Sequence, residues 1–364
     1  MSLPHDTADP MTLLRDPSIL IVGAGPVGLC AGIALLKDGH RVAIVDSGAH
    51  GAGWASGGML APLYEMAADP TCPDPYLEFA LKSAELWHVL ARTCAVDLQS
   101  PSLFLARTQE EVAALLSLQR RANRLGLDLT SVCVPAGLTA QAAFQAPTER
   151  SLAPRAALKS LMNQFQSLGG ELLVGQAYAI GPHRLGLLDG RTLEAETIVL
   201  AHGFSATSFG QSIPALRALS PVKGQMARVA HPELASPIVR AGRIYMLSRG
   251  GGLVIGATSD PLAAPVLSVD VDPVLALLAE AKALLPSLAT APTVEAWAGV
   301  RPDTPDHLPL VGASGVDGIY LATGTYRNGW LLAPAIGAYL SELISGKTLD
   351  QALMNLFAPE RFSS

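Results

Sequence analysis

Short continuous runs of apolar residues alternate along the chain with longer stretches in which apolar residues recur every three or four positions. The first pattern predicts strands buried in a parallel sheet and the second predicts helices. Ile19, Leu20, Ile21 and Val22 make the first run, and a glycine-bearing turn and an apolar helix follow it. The helix is expected to stop near Asp38, because Gly39 can take the left-handed conformation that ends a helix. A second strand is predicted over residues 41–45, just before Asp46. Helical spacing returns at residues 78–94 and 109–125, whereas residues 126–150, broken by Pro135 and Pro147, read as irregular and as the place where one domain gives way to another. Leu158, Leu161, Met162 and Phe165 mark a helix over residues 156–168. Gly169-Gly170 ends it, and a strand follows over residues 171–174, with a further buried strand at 197–200.

The style then changes. From about residue 220 to 295 the pattern favours strand pairs, such as 243–248 and 252–258 joined by Arg249-Gly250-Gly251, a hairpin signature, with one helix over 274–285. The tail returns to the first style, with a strand at 319–322, a turn, and a helix over about 329–345. Residues 1–17 read as a loose polar leader. Its Asp6, Asp9 and Asp16 precede the first apolar run and are unlike a secretory signal.

The turn after the first strand carries the first chemistry. Gly23-Ala24-Gly25-Pro26-Val27-Gly28 is a GxGxxG placed between a strand and a helix, the context that makes this short pattern informative. Gly23 permits the tight turn, Gly25 lets backbone approach a pyrophosphate, and Gly28 lets helix and strand pack closely, while the helix N-terminus faces the anion. Asp46 lies 23 residues after Gly23, at the end of the second strand, where a carboxylate can accept hydrogen bonds from ribose hydroxyls. The same turn explains residues 18–36, which are uncharged and about as long as a membrane span: Gly23, Gly25, Pro26, Gly28 and Gly32 interrupt them. The other glycine cluster, Gly250-Gly251-Gly252, sits in the hairpin with no helix behind it. The motif alone does not separate FAD from NAD, but without a second fingerprint for a nicotinamide cofactor beside a flavin, one dinucleotide site is expected and a second substrate must bind elsewhere.

These readings give an α/β fold. A Rossmann-type dinucleotide domain, of the glutathione-reductase kind, is expected from residues 18–85, 150–215 and 297–361. An interleaved antiparallel-sheet α+β domain for substrate is expected from residues 86–149 and 216–296. A chain of 364 residues suits two such domains. With 49% hydrophobic and 15% charged residues it reads as a globular enzyme. A formal charge of −6 without a Lys/Arg run excludes a nucleic-acid or anionic-membrane partner from the expectations. Cys30, Cys72, Cys94 and Cys133 have no zinc-binding spacing and read as free thiols of a reducing, cytoplasmic compartment, and no metal is expected.

Gly57-Gly58-Met59-Leu60-Ala61-Pro62, Pro221-Val222-Lys223-Gly224-Gln225-Met226, the run from Trp297 to Asp306, and the run from Ala322 to Pro334 resemble successive signatures of the D-amino acid oxidase superfamily. Among its branches the resemblance is to the glycine oxidases of thiamine biosynthesis, over residues 18–346. It implies that Pro26, Val27, Asp46 and Ser47 hold the adenosine and pyrophosphate parts of FAD, that Gly57, Gly58 and Met59 lie near the flavin, and that Tyr178 offers its backbone to the adenine. It further places Thr325, Tyr326, Asn328, Gly329, Trp330 and Leu331 under the flavin, with the start of the last helix stabilising the reduced ring. Tyr245, Arg301 and Arg327 match substrate-contacting positions. Thr325 stands where relatives often have histidine, Ser259 where they often have methionine, and Trp330 replaces an aliphatic residue. With no cysteine after Cys133, and Ala55 following Trp54, FAD is expected to be noncovalent.

The residues themselves agree on one point. Arg327 lies in an apolar stretch and needs an anionic partner or an outlet to solvent. A substrate carboxylate can be that partner, and a structurally paired arginine is the alternative; for Tyr245 a place in the core is the alternative, and His202, at the end of a strand, reads as structural. No protein group is singled out as catalytic. The resemblance implies hydride transfer from the α-carbon of a small amino acid (glycine, sarcosine or a small D-amino acid) to the flavin, with oxygen as acceptor and hydrogen peroxide as product. A D-amino acid dehydrogenase using a quinone or other carrier, and a non-catalytic flavin subunit, are the alternatives. Whether the chain forms a homo-oligomer stays open.

Overall fold

The computed structural model describes residues 17–262 and 264–362, so the expected leader lies, apart from Pro17, outside the described residues. Its first strand, β1 (Ile19–Val22), is buried throughout, because it sits between two parallel partners. Leu20 pairs with Ile198 on one side and with Ala43 of β2 (Val42–Asp46) on the other. The sheet has six strands in the order Leu310–Ala313, Ile319–Thr323, Thr197–Leu200, β1, β2, Glu171–Val174, and all but the first pairing are parallel.

Helix α1 (Pro26–Lys37) follows β1 and ends at Asp38, with Gly39 at φ +90 as its spacing predicts. It packs against the Gly329–Ile344 helix so closely that a Cβ on Gly337 would lie 2.7 Å from the carbonyl oxygen of Cys30. These helices and Pro154–Ser167 cover one face of the sheet. The second face is covered by a small three-stranded sheet, Ala177–Gly181, Arg184–Leu187 and Thr192–Glu194, and by the short helices Gly203–Phe209 and Pro214–Ala218. Both faces of the inner parallel strands are thus largely dry, which is why those strands are mostly apolar, whereas the edge strand Glu171–Val174 is exposed at both ends.

The other large sheet is mostly antiparallel. Its path runs from Asp260–Pro261 through Ser220–Val229, Gly252–Gly256, Ile244–Arg249, Ile238–Ala241, Ser102–Ala106 and Ala142–Ala146 to Thr130–Val132, and Thr293–Asp303 pairs along Ser220–Val229. Thr293–Asp303 passes through residue 297, so its two halves fall in different expected segments. The hairpin turn holds Gly250 at φ +58 and Gly251 at φ +76, the geometry that a two-residue turn of this hand demands.

Residues 126–150 depart from expectation. They hold the strands Thr130–Val132 and Ala142–Ala146 and lead into Arg150–Leu152, which pairs with Met59–Leu60 and Leu98–Gln99. Short strands rich in alanine carry little β signal, and neighbouring strands select them. Likewise the helix expected from residue 78 begins at Asp74, since Pro75 in the first turn is compatible with a helix start. Among the described residues no helix is long and apolar enough to cross a membrane.

Candidate active site

A cavity of about 1460 Å³ runs from the glycine turn to the antiparallel sheet. It exceeds what a small substrate alone fills. Gly23, Gly25, Pro26 and Val27 line it, and Gly28 does not. The three glycines divide their work as the sequence suggests. A Cβ on Gly28 would lie 2.0 Å from the Gly23 carbonyl oxygen, so Gly28 is needed for packing; a Cβ on Gly25 would meet nothing within 4 Å and would project into open space. Gly25 caps α1 without a side-chain hydrogen bond. The first-turn N–H groups, which have no partner inside a helix, are left to face an anion. Asp46 uses its carboxylate to fix the turn, accepting from Ala24 N at 2.7 Å and from Gly48 N at 2.7 Å. Ser47 and Tyr178 also line the cavity, Tyr178 from a half-open strand beside Gly175.

Further along, the turn Ala52–Ala55 is held by two indoles. Trp297 donates to Ala55 O at 2.7 Å and Trp330 donates to Gly53 O at 2.9 Å, while Trp87 donates to Trp330 O at 2.7 Å. Gly57, Gly58 and Met59 follow and line the cavity. Gly57 has no room for a side chain: a Cβ there would lie 2.6 Å from the Tyr245 hydroxyl. Opposite them the loop before the last helix supplies Thr325, Tyr326, Arg327, Gly329 and Trp330. Asn328 and Leu331 lie behind it, Asn328 as the N-cap residue and Leu331 fully buried. Tyr326 takes φ +46, a costly conformation for a residue with a side chain, and its N–H donates to Pro302 O at 2.8 Å. This kink aims Arg327 into the cavity.

Three expected substrate residues therefore meet in one place. Arg301, opposite Val222 in the strand pair, lays its guanidinium across Gly224, where a Cβ would be 2.3 Å from Nη2. Its bonds are long ones to carbonyls, to Thr258 O at 3.2 and 3.3 Å and to Lys223 O at 3.4 Å. Desolvation holds its pKa below the usual arginine value, which Tyr245 partly opposes. Tyr245 is packed between Gly57 and Gly256, its hydroxyl 3.6 Å from Met226 Sδ, and burial raises its pKa.

Arg327 differs. The anionic partner it requires is within the chain: its Nε lies 3.2 Å from Glu65 Oε2. Glu65 also meets Arg240 Nη1 at 3.0 Å. Arg240 is 2% exposed and lies under the Tyr64 ring at 4.0 Å. Burial alone would raise the Glu65 carboxyl, but Arg327 and Arg240 outweigh it and hold its pKa below the ordinary value, so Glu65 is an anion. Sequence reading passes over Glu65. The available signal is that it is the one charged residue between Gly57 and Ala68.

Beneath this cluster Glu149, 1% exposed, accepts from Leu63 N at 2.7 Å and Tyr64 N at 3.3 Å and so pins the short helix Leu63–Ala67 that carries Glu65. Burial lifts its pKa from an ordinary 4.5 to about 7. A carboxyl whose folded pKa is raised contributes stability that is complete below the unfolded pKa and is lost as pH rises through the folded one. From pH ~4.5 to ~7.5 wild type should therefore lose on the order of 3 kcal/mol relative to Glu149→Gln, at 1.36 kcal/mol per pKa unit. Melting curves of both proteins at pH 5 and pH 8 check this, and a constant difference between them would contradict it.

His202 is half-buried at the cavity wall with both ring nitrogens shielded from solvent, edge-on to Phe209 at 5.5 Å, and desolvation lowers its pKa to about 4. It is neutral at pH 7. All four cysteines are free, and no group of metal-binding side chains occurs among the described residues.

Most of the chain that builds this cavity matches a known family. The family model described as DAO, FAD dependent oxidoreductase, matches residues 18–343. The chain belongs to this family. FAD is its cofactor, and the open space beside Gly25 together with the uncapped start of α1 suits a pyrophosphate. The chain is 30% identical to glycine oxidase of Geobacillus kaustophilus over 90% of its own length and 93% of the relative's. It is 28% identical to glycine oxidase of Pseudomonas aeruginosa, covering 90% of this chain and 95% of that one. The crystal structure of the Geobacillus kaustophilus glycine oxidase superposes with a TM-score of 0.86 at 28% identity, covering 96% of this chain and 99% of that one. This enzyme of the DAO family is thus an FAD-dependent oxidoreductase of glycine-oxidase-like architecture.

Proposed function

We propose that this enzyme oxidises the C–N bond of a small amino acid such as glycine, sarcosine or a small D-amino acid, and that Arg301 and Tyr245 receive the substrate carboxylate. The observation that carries the reading is Arg301: a guanidinium in the FAD cavity, half-buried, with carbonyl oxygens at 3.2 to 3.4 Å and no carboxylate partner among the described residues. A substrate carboxylate supplies shorter, charge-assisted bonds in the bidentate geometry that suits arginine. FAD, when bound, would supply the two-electron redox chemistry at the substrate α-carbon.

The protein's part is to hold and to dry. Gly224 gives the guanidinium its place, Tyr245 closes the wall against Gly57, and Met59 and Trp330 keep the chamber largely apolar. Desolvation favours the neutral amine, the form that can lose hydride. In this reading segments 18–85, 150–215 and 297–361 form the FAD domain and 86–149 and 216–296 the substrate domain, with Arg301 of the former reaching the substrate from the strand that pairs with Ser220–Val229.

A panel of amino acids read as oxygen uptake and peroxide release tests the proposal. Glycine, sarcosine or D-alanine should give peroxide stoichiometric with oxygen consumed. Turnover only with a quinone or dye acceptor would make the enzyme a dehydrogenase instead. Turnover with neither, on any of the amines, would remove the proposed substrate class.

A further inference from the structure

We propose that Glu65 sets the substrate class by charge: it neutralises Arg327, leaves Arg301 as the guanidinium that receives the substrate, and so restricts the site to amino acids with a single carboxylate. This rests on the reading of Arg301 given above.

The chamber is lined by both arginines, and two guanidinium groups side by side, neither with a carboxylate partner, would bind a dianion better than a monoanion. Glu65 prevents that. Its side chain is 11% exposed and lines the cavity, its Oε2 faces Arg327 Nε at 3.2 Å, and its Oε1 faces Arg240 Nη1 at 3.0 Å and Arg327 Nη2 at 3.5 Å. Both carboxylate oxygens are thus committed to guanidinium groups. A second substrate carboxylate reaching Arg327, whose side chain is 40% exposed, would have to come up against the Glu65 anion, and like charges repel.

The carboxylate is also firmly placed. Glu149 pins the Leu63–Ala67 helix from below, and Arg240 stacks under Tyr64, the neighbour of Glu65. Glu65 does not swing away to admit a competitor without stranding the buried Arg240, which has no other carboxylate within ion-pair distance among the described residues.

The test compares kcat/KM for glycine, with one carboxylate, against N-carboxymethylglycine and D-aspartate, which place a second carboxylate in two different directions. In Glu65→Gln the ratio of a dicarboxylate to glycine should rise by roughly tenfold or more, the scale of one additional charge-assisted hydrogen bond. In Glu65→Asp it should stay near the wild-type ratio. An unchanged or lower ratio for both dicarboxylates in a folded, FAD-loaded Glu65→Gln enzyme overturns the proposal. A measurement on wild type stands if that variant does not fold: acetate and malonate, titrated against the flavin spectrum, should bind with similar strength, and malonate binding more than about tenfold tighter would overturn it. Wild type that turns over no amino acid at all would instead defeat the functional reading on which this rests.

Discussion

Gly25→Val is expected to give a folded protein that carries no FAD. The reason lies in the division of labour within the glycine turn. Gly25 has ordinary extended dihedrals, φ −74 and ψ 178, which valine adopts without strain, and a Cβ there meets no protein atom within 4 Å. The side chain instead fills the space beside the α1 N-terminus, where the pyrophosphate must approach backbone. Two charge-assisted hydrogen bonds of about 1.5–3 kcal/mol each are then lost, so FAD affinity should fall by roughly 10²-fold or more. Gly28→Val is the contrast. Its Cβ would lie 2.0 Å from the Gly23 carbonyl oxygen, a backbone atom that cannot yield, so that variant should fail to accumulate as soluble protein. Flavin-to-protein absorbance ratios and melting curves of the apoproteins separate the two. A yellow Gly25→Val protein would show that the turn does not carry the cofactor's phosphates.

Arg301→Met should retain FAD and lose turnover. Two bonds to a substrate carboxylate at the low end of the charged range amount to about 3 kcal/mol, or at least roughly 10²-fold in kcat/KM. Methionine matches the aliphatic stem, and Gly224 leaves the side chain free to lie as the arginine does. Arg301→Lys should recover only part of the loss, since an ammonium cannot reproduce the planar fork. Arg327→Met should cost less, about tenfold, because Arg327 spends its charge on Glu65. Steady-state kinetics with glycine on the three variants checks the order. An Arg327→Met loss equal to or larger than that of Arg301→Met would move the carboxylate site to Arg327.

What can be read from the sequence follows the range of the interactions. The β1–α1–β2 unit is legible because its signals are local: an apolar run, three glycines with fixed backbone duties, and Asp46 at a set spacing. Gly39, the Gly250-Gly251 turn and the last helix are legible for the same reason. The strands at 130–132 and 142–146 are not, because only their neighbours in the sheet select them. The same holds at the site. Motifs point to Arg301 and Arg327, but what distinguishes the two is long-range: Gly224 beneath one, and Glu65, 262 residues away in sequence, beside the other. Sequence supplies the need of Arg327 for an anion, and only the fold shows that the chain provides it. Glu149 and Arg240 escape notice because a buried charge announces itself by its surroundings, which no local pattern records.

The central claim is that one cavity joins FAD to a small amino acid, and anaerobic reduction of the bound flavin tests it most directly. Holoenzyme freed of oxygen and mixed with glycine, sarcosine or D-alanine should lose its oxidised flavin absorbance in a single concentration-dependent phase, and should do so far more slowly in Arg301→Met. Flavin that stays oxidised with every one of these amines, while dithionite still reduces it, would contradict the account.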